Sequence, residues 1–370
     1  MENNEIHVAI WHACSGLIRM APILSSTVYY YPQGHVDNYG GSASTQTLCA
    51  NFPSIKCHVN SMRFLADPAT DEVFAHMNMR PMQPQETSVG PARSKEPVTD
   101  FIDSVFYKPL EYSDLIGGGL RVEKIFDKEK EDNIVVIHDI HNREWEVQHV
   151  YDNASNSHHL TNGWSRFTSS KKLHAGDELV FMRTKDGRVI VGIRRSVVSI
   201  SQNHEPTGFS FIRNVAHGDK IARTGNGLCS VESLGTAMGN ALNKVEFEAV
   251  YYPMTGKSSF FYDSEAVDFF AKKKWVIGMR VKKNIVVDHR LGRITHFGFI
   301  TGIRNERNSP WKRLKVMWDQ VEAEQLENCW EIRPDIPSVP EQKREPDIPI
   351  VREPKRGFKL FGQTMAVNEI

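Results

Sequence analysis

The chain has 370 residues and carries 45 Lys and Arg against 45 Asp and Glu, so its formal net charge is zero. This balance excludes a protein that binds nucleic acid through bulk positive charge, because such binding would need basic residues concentrated on one face. The length favours about two or three domains, and a hydrophobic content of 40% is enough for ordinary globular cores.

The sequence shows no sign of export or membrane insertion. The first residues, MENNEIHVAI, lack the basic start and apolar core of a signal peptide, and no run of about 18 apolar residues is present. The five cysteines are odd in number and form no CxxC pair, which favours free thiols in a reducing compartment. We therefore expect a cytosolic or nuclear protein that has no membrane partner.

The first hundred residues mix turns with short strands. The run Val28 to Tyr31 is β-branched and aromatic, as strands often are, and Pro32 to His35 is predicted to break it. Between Asp67 and Glu96 the chain is rich in Pro, Met and Gln. This composition predicts a surface connection and not part of a core.

Residues 101–195 carry several strand signals. Ile134 to Ile140 is a β-branched run, and Glu146 to Tyr151 alternates polar and apolar residues as a half-buried strand does. Leu179 to Arg183 and Val189 to Ile193 flank a Gly-containing turn and predict a hairpin. Many short strands with few helices indicate a small β-barrel.

The hydrophobic pattern changes period after residue 230. Residues 231–243 have apolar side chains at helical spacing, and Glu265 to Lys274 is predicted to form a second helix. Further strands are expected at 247–252, 279–282, 298–303 and 314–318, the last three in a second, smaller barrel. Residues 334–356 hold six prolines and many charges, which predicts a disordered tail.

Motifs of catalysis are absent from the sequence. It contains no GxSxG, no HExxH and no Walker-type phosphate loop. The run Gly117 to Gly119 favours a turn over a phosphate cradle. His138 and His141 would not share a face on a strand that leads into a turn, so exposed histidines are favoured over metal ligands. We expect no enzyme activity, no catalytic residues, no cofactor and no metal.

Six colinear segments resemble the auxin response factors, a plant transcription factor family with a B3 DNA-binding domain. They are IWHACSGLIRMAPILSSTVYYYPQGH at 10–35, GWSRFTSSKKLHAGDELVFMR at 163–183, EFEAVYYP at 246–253, GMRVK at 278–282, WKRLKVMWD at 311–319 and FKLFG at 358–362. RVIVGIRR at 188–195 extends the second segment. In its details the chain resembles the divergent branch often called class C.

The resemblance implies a mainly β architecture with some α. A seven-stranded open B3 pseudobarrel is inserted in an α+β dimerisation domain and is followed by a small Tudor-like β-barrel. We place the dimerisation domain at 1–100 and 200–270, the B3 domain at 101–199, the Tudor-like domain at 271–333 and a disordered tail at 334–370. The family is nuclear and recognises DNA elements that contain TGTC.

The resemblance also implies two DNA-reading loops. The first, residues 113–119, keeps the Ser-Asp start of the family, but glycine stands nearest the place of its contacting histidine. The second is arginine-rich in the family, whereas residues 152–158 read DNASNSH and hold no arginine. Each lost arginine–guanine pair removes about 1–3 kcal/mol of discrimination.

The predicted DNA-contacting residues are accordingly glycine, polar or lysine. They are Gly117, Gly118, Asn156, His158, Thr161, Asn162, Ser165, Lys171 and Lys172. Lys171 and Lys172 match a basic pair of the family and could meet phosphate, and the alternative for both is a solvated turn. Trp145, Trp164 and Phe167 are interpreted as barrel core.

Local charge agrees with a weakened DNA-binding surface. Residues 101–200 hold 14 Lys and Arg against 15 Asp and Glu, a net charge of −1. Residues 271–333 hold 14 against 7, a net charge of +7. The B3 region would therefore supply little electrostatic steering toward DNA.

The helix at 231–243 carries Gly235 and Gly239 four residues apart, beside two alanines. Small residues at this spacing allow close approach of another helix. By resemblance this helix lies at a dimer interface, and an intramolecular core helix is the alternative. The predicted interface residues are Leu234, Gly235, Met238, Gly239 and Leu242.

The favoured hypothesis is a nuclear transcription factor of auxin signalling that binds DNA as a dimer through a diverged B3 domain. Its expected partners are double-stranded DNA, with weak or altered specificity, and a second copy or a related auxin response factor. The C-terminal repressor-interaction domain of many relatives is not expected here. The alternative is an interaction protein with impaired DNA binding that forms heterodimers with full-length relatives and competes with them.

Overall fold

A computed structural model describes most of the chain. The described residues are 4–16, 24–39, 49, 52–83, 85–86, 101–116, 119–122, 134–154, 157–195, 229–253, 259–288, 292–304, 310–321, 323–335, 359–360 and 363–364. None of the helices in these ranges is long and apolar enough to cross a membrane. All five cysteines are buried free thiols.

The elements alternate short helices with many strands. The helices are α1 (Val8–Cys14), α2 (Pro32–Tyr39), α3 (Tyr112–Ile116), α4 (Trp164–Ser170), α5 (Val231–Leu242) and α6 (Ser264–Ala271). The strands up to the middle of the chain are β1 (Thr27–Tyr30), β2 (Ile55–Ala66), β3 (Val73–Pro81), β4 (Ile102–Pro109), β5 (Leu120–Val122), β6 (Ile134–Asp139), β7 (Glu144–Asp152), β8 (Ser157–Leu160), β9 (Glu178–Thr184) and β10 (Val189–Arg194). The later strands are β11 (Phe247–Tyr251), β12 (Phe261–Asp263), β13 (Arg280–Asp288), β14 (Gly292–Ile303), β15 (Leu314–Trp318), β16 (Gln325–Glu327), β17 (Arg333–Pro334), β18 (Lys359–Leu360) and β19 (Gln363–Thr364).

A five-stranded antiparallel sheet, here called the central sheet, combines strands from both sides of the middle region. Its order is β11-β3-β2-β1-β12. Its first three strands in sequence precede residue 82, and its last two follow residue 246. Helix α5 leads into β11 and begins after Ser230, whose hydroxyl accepts a hydrogen bond of 3.0 Å from the Ser233 amide and so caps the first turn.

The prediction of a surface connection at 67–96 is wrong for β3. This strand alternates buried and half-buried side chains along its whole length. Met77 and Met79 are completely buried in the core of the central sheet. Methionine is flexible and polarizable and fills irregular core gaps, although its β propensity is unremarkable. The Pro, Met and Gln content of the segment therefore did not indicate that it contains a core strand.

A curled seven-stranded sheet lies in sequence between β3 and β11. Its order is β4-β9-β10-β6-β7-β8-β5, with β10 and β6 parallel and the other pairs antiparallel. The predicted hairpin is confirmed, since β9 pairs with β10 in register from Val189–Arg183 to Arg194–Glu178. Trp164 and Phe167 are buried in the core of this sheet, and Trp145 packs against it. The predicted mainly β fold with a seven-stranded pseudobarrel is confirmed.

The third sheet has five strands in the order β16-β15-β14-β13-β17. Its core contains four tryptophans together with Tyr31, which directly follows β1 of the central sheet. The ring of Tyr31 stacks on Trp330 with centroids 4.9 Å apart. Within the predicted disordered tail, β18 pairs with β19, and most of that tail lies outside the described residues.

The four short helices α1 to α4 do not follow from the sequence pattern. The prediction of a strand break at Pro32 misses that this residue opens α2, where a proline costs nothing because the first amides of a helix have no intrahelical acceptor. Helix α4 follows β8 and begins after Gly163, whose φ of 93° lies in the left-handed region. Gly163 is required there because a Cβ would also collide with the carbonyl oxygen of Glu146.

Gly192 in β10 supplies a test of the packing between α1 and the seven-stranded sheet. A Cβ at this position would collide with the Sγ atom of the buried Cys14. We expect Gly192→Ala to lower the free energy of unfolding by about 1–3 kcal/mol, the usual cost of overpacking a core. Cys14→Ala removes the colliding sulfur, so the double variant should recover most of the loss in urea denaturation. Simple additivity of the two changes would contradict this contact.

Candidate nucleic-acid interface

Two loops of the seven-stranded sheet lie at opposite ends of one strand pair. Strands β5 and β8 are antiparallel and pair Leu120 with Leu160, Arg121 with His159 and Val122 with His158. The first loop (residues 113–119) enters β5, and the second loop (residues 152–157) enters β8. Three strand residues span about 10 Å. The β5–β8 ribbon therefore separates the two loops by roughly that distance.

The first loop is held by contacts on both sides. The Asp114 carboxylate accepts a hydrogen bond of 2.8 Å from the Glu111 amide, and it lies 3.1 Å from the Lys108 ammonium. The indole of Trp164 donates to the Asp114 carbonyl at 2.9 Å. A Cβ on Gly119 would lie 3.1 Å from the Leu160 carbonyl oxygen. The backbone here approaches β8 closely, whereas Gly117 and Gly118 lie outside the described residues.

The second loop begins with an exposed aspartate. Oδ1 of Asp152 accepts a hydrogen bond of 2.9 Å from the Ala154 amide and so supports the turn. Ser157 at its end is buried, and its hydroxyl lies 2.8 Å from Nε2 of His159. Of Asp152 and Ser157, only the aspartate is exposed to solvent. Asn156 lies outside the described residues.

His158 is not available to DNA, so its prediction as a contact is wrong. Its side chain is 3% exposed, and its Nδ1 atom lies 2.7 Å from Nε2 of the buried His149. The two rings stack with centroids 5.0 Å apart. Successive residues of a strand point to opposite faces, so β8 turns His158 inward and His159 outward.

Three predicted polar residues lie together just after β8. Asn162 is exposed and donates a hydrogen bond of 2.6 Å to the Gln148 side chain. Ser165 is exposed at the start of α4, and Thr161 is half-buried. The Cγ2 atom of Thr161 would lie 3.2 Å from a Cβ on Gly119, so this group adjoins the first loop. Their contact with DNA stays a prediction.

The prediction that Lys171 meets a phosphate is wrong, because its side chain is buried in an ionic cluster. Lys171 is 4% exposed, and its ammonium lies 2.6 Å from Oδ2 of Asp139 and 3.0 Å from Oδ1 of Asp71. Nε2 of His141 lies 3.2 Å from Asp71. We call these four residues the Lys171 cluster. Lys172 is exposed, and its contact with phosphate remains a prediction.

The Lys171 cluster joins the central sheet to the seven-stranded sheet. Asp71 lies in the turn between β2 and β3 of the central sheet, whereas Asp139 ends β6 of the seven-stranded sheet. Burial by itself would raise the pKa of Asp139, but hydrogen bonds from Lys171 and the Arg143 amide outweigh it and lower the pKa. Asp139 is therefore ionised in the folded protein at neutral pH.

Sequence reasoning missed two exposed arginines of this region. Arg121 is the only outward residue of β5, and Arg166 is exposed on α4. Neither has an ion-pair partner among the residues that the structure describes. The signal for Arg121 was the run Leu-Arg-Val, in which a charged residue stands between two apolar ones as on a half-buried strand.

Helix α5 buries one face and leaves another open. Leu234 and Met238 pack in a core of the same chain, so their prediction as interface residues is wrong. A Cβ added to Gly235 or to Gly239 would have none of the described residues within 4 Å. Leu242 on the same side is 44% exposed. The helical period places the glycines and Leu242 on one stripe beside the buried face.

The described residues hold no cluster of three or more His, Cys, Asp or Glu side chains that could bind a metal ion.

Comparison with protein families matches residues 113–197 to the B3 DNA binding domain. This match covers both loops and the β5–β8 ribbon. The seven-stranded sheet is therefore a B3 DNA-binding domain.

Two relatives extend the similarity over most of the chain. Auxin response factor 17 of Arabidopsis thaliana is 34% identical and covers 90% of this chain. Auxin response factor 18 of rice, Oryza sativa subsp. japonica, is 32% identical and covers 88%. The chain belongs to the auxin response factor family. It spans 62% and 53% of the length of these two relatives.

The solved structure of an Arabidopsis FUS3–DNA complex is also similar. It is 18% identical and covers 26% of this chain and 98% of its own, with a TM-score of 0.22.

Loss of the Lys171 ammonium should destabilise the fold. Lys171→Met leaves two buried carboxylates without their cation, and we expect the free energy of unfolding at pH 7 to fall by about 3–5 kcal/mol. The exposed neighbour is the matched control, and Lys172→Met should change it by less than about 0.5 kcal/mol. Urea denaturation of the three proteins measures both values. Equal losses in the two variants would contradict the buried cluster.

The same variant should alter the pH dependence of stability. The folded-state pKa of Asp139 is lowered, so its contribution is present above the ordinary aspartate pKa of about 4 and is lost as the pH falls below it. In Lys171→Met the Asp139 carboxylate loses the cation that helps to lower its pKa, so it should take up a proton more readily. Lowering the pH from about 7 to 5 should therefore narrow the stability gap between variant and wild type. A constant gap in urea denaturation would count against the cluster.

Proposed function

We propose that this chain is a nuclear transcription factor of auxin signalling that binds double-stranded DNA through its B3 domain. The carrying observation is the arrangement of the two loops at opposite ends of the β5–β8 ribbon, inside the region matched to a DNA-binding domain. Their separation of about 10 Å suits a major groove about 12 Å wide. The target is an element that contains TGTC.

Binding is expected to be weak or altered in sequence preference. The second loop places a carboxylate, Asp152, toward solvent where a base-reading side chain would stand. A carboxylate that faces DNA repels phosphate, and the missing arginines remove about 1–3 kcal/mol each. Specific and non-specific binding typically differ by only about 4–10 kcal/mol. The remaining preference must come from other side chains of the same face.

Reversing the charge at Asp152 tests whether DNA contacts the second loop. Asp152→Arg should tighten binding to a duplex with paired TGTC half-sites by about tenfold, because it removes repulsion and adds a phosphate or base contact. The control is Glu144→Arg, the same charge reversal at the exposed far end of β7, about 25 Å away. Fluorescence anisotropy at two salt concentrations measures both. Equal gains in affinity in the two variants would show that the net charge of the protein, and not a DNA contact at residue 152, sets the affinity.

We also propose that the open stripe of α5 forms a dimer with a second copy or a related auxin response factor. The stripe of Val231, Gly235, Gly239 and Leu242 combines two exposed apolar side chains with two glycines that leave room for close approach. A glycine also weakens a helix by about 1 kcal/mol relative to alanine. Retaining two of them on an exposed face favours a packed partner over solvent.

Bulk on this stripe should break the dimer without harming the protomer. A Cβ added at Gly239 would have nothing within 4 Å among the described residues, so Gly239→Leu should fold with about wild-type stability. Overpacking at an interface costs about 1–3 kcal/mol, so the dimer dissociation constant should rise at least about tenfold. Thr236→Leu, exposed on another side of α5, is the control. An unchanged dissociation constant in sedimentation equilibrium would exclude this stripe.

The exposed Asp152 also favours a second candidate function. A chain that keeps the α5 stripe but has lost base reading would act as an interaction protein that forms heterodimers with related factors and competes with them. Anisotropy titrations distinguish the sequence-specific DNA-binding factor from the interaction protein. Equal affinity for TGTC and scrambled duplexes, falling steeply with salt, would favour the interaction protein.

A further inference from the structure

The outward face of the β5–β8 ribbon carries one polar pair. Of its three cross-strand pairs, Leu120–Leu160 and Val122–His158 are buried on the inner side. Arg121 and His159 form the remaining pair and face outward, Arg121 exposed and His159 half-buried. Successive side chains of a strand point to opposite faces of the sheet. The residues on either side of Arg121 and of His159 are buried, so these two side chains point to the outward face.

We infer that Arg121, with His159 beside it, reads a base edge in the major groove from the strand and not from either loop. This inference rests on the proposed DNA binding. A duplex seated on both loops must cover the ribbon that joins them, since the loops lie at its two ends. The side chains on the outward face of the ribbon would then lie directly against the DNA.

The chemistry of Arg121 fits a guanine. A guanidinium presents five donors in a planar fork, which matches the O6 and N7 acceptors of guanine. No carboxylate among the described residues neutralises Arg121, so the fork is available. The exposed cations Arg166 and Lys172 are less well placed, because they lie on or beyond α4 and not on the ribbon.

The neighbours of Arg121 complete a row across three strands. His159 pairs with Arg121 on one side and with Val150 of β7 on the other. The Ser157 hydroxyl, 2.8 Å from Nε2 of His159, fixes the imidazole ring. Nδ1 of His159 has no hydrogen-bond partner within the described part of the chain. The row therefore offers a guanidinium, a held imidazole and an apolar surface, which suits hydrogen bonds to one base and contact with a thymine methyl group.

A selection from randomised duplexes tests this inference without assuming the target. The full-length wild type is expected to enrich a motif that contains a fixed guanine. Arg121→Ala should lose the preference at that position while the other positions stay enriched, and its affinity for the wild-type motif should fall about tenfold or more. Arg121→Lys keeps the charge but not the planar fork, so it should lose the same position. Arg143→Ala, exposed at the far end of β7, is the control and should keep the whole motif.

The possible outcomes separate the base contact of Arg121 from the proposed function. A wild-type motif other than TGTC, with one guanine lost in Arg121→Ala, would support the inference and contradict the proposed element. The same motif from wild type and Arg121→Ala would overturn the inference and leave the proposed function intact. Equal weakening of all sequences with a salt slope reduced by about one would overturn it too, because it marks a phosphate contact. Unchanged thermal unfolding of Arg121→Ala shows that any loss is not a folding defect.

Discussion

The structure depends on one buried ammonium held between carboxylates of two different sheets. Lys171 contacts Asp71 of the central sheet and Asp139 of the B3 domain, and it is almost wholly excluded from water. Such a group is costly to bury alone and is tolerated only with close partners. Arg195 strengthens the same junction, since its guanidinium donates at 2.7 Å to the Thr70 carbonyl. The B3 domain is thereby fixed on the central sheet.

This fixed junction connects the two surfaces that the proposed function uses. The β5–β8 ribbon belongs to the B3 domain, and α5 packs on β11 at the edge of the central sheet. Since the two sheets are joined through buried ion pairs, a dimer formed through α5 would hold two ribbons at one separation and orientation. Tyr31 joins the third sheet in a similar way, because it stacks on Trp330 and lies against the Trp311 ring.

Regular patterns could be predicted from the sequence, and contacts between distant segments could not. The β9–β10 hairpin and α5 followed from a turn and from helical spacing, and the family resemblance predicted the seven-stranded pseudobarrel. The prediction for Lys171 was wrong because its partner Asp71 is 100 residues away, and an exposed lysine is by far the commoner case. The prediction for Leu234 and Met238 was wrong because helical spacing shows that a face is apolar without showing which partner covers it.

Arg121 and His159, the outward pair on the β5–β8 ribbon, were not predicted as DNA contacts. The family resemblance points to the loops, where the arginines of the family are replaced, whereas the strand beside them carries the cation. Alternation on β5 and β8 was visible in the sequence, but only their pairing places Arg121 beside His159. The loss of loop arginines and the presence of a strand arginine are consistent with a DNA-binding surface of altered preference.

The affinity for paired half-sites as a function of their spacing tests the rigid junction and the proposed dimer most directly. Duplexes with two TGTC half-sites would be stepped one base pair at a time through a helical turn of about 10 base pairs, at constant salt. If the Lys171 cluster fixes each B3 domain and α5 fixes the dimer, the affinity of the wild type should peak at one narrow spacing. A flat profile across the turn would contradict a rigid junction between the two sheets.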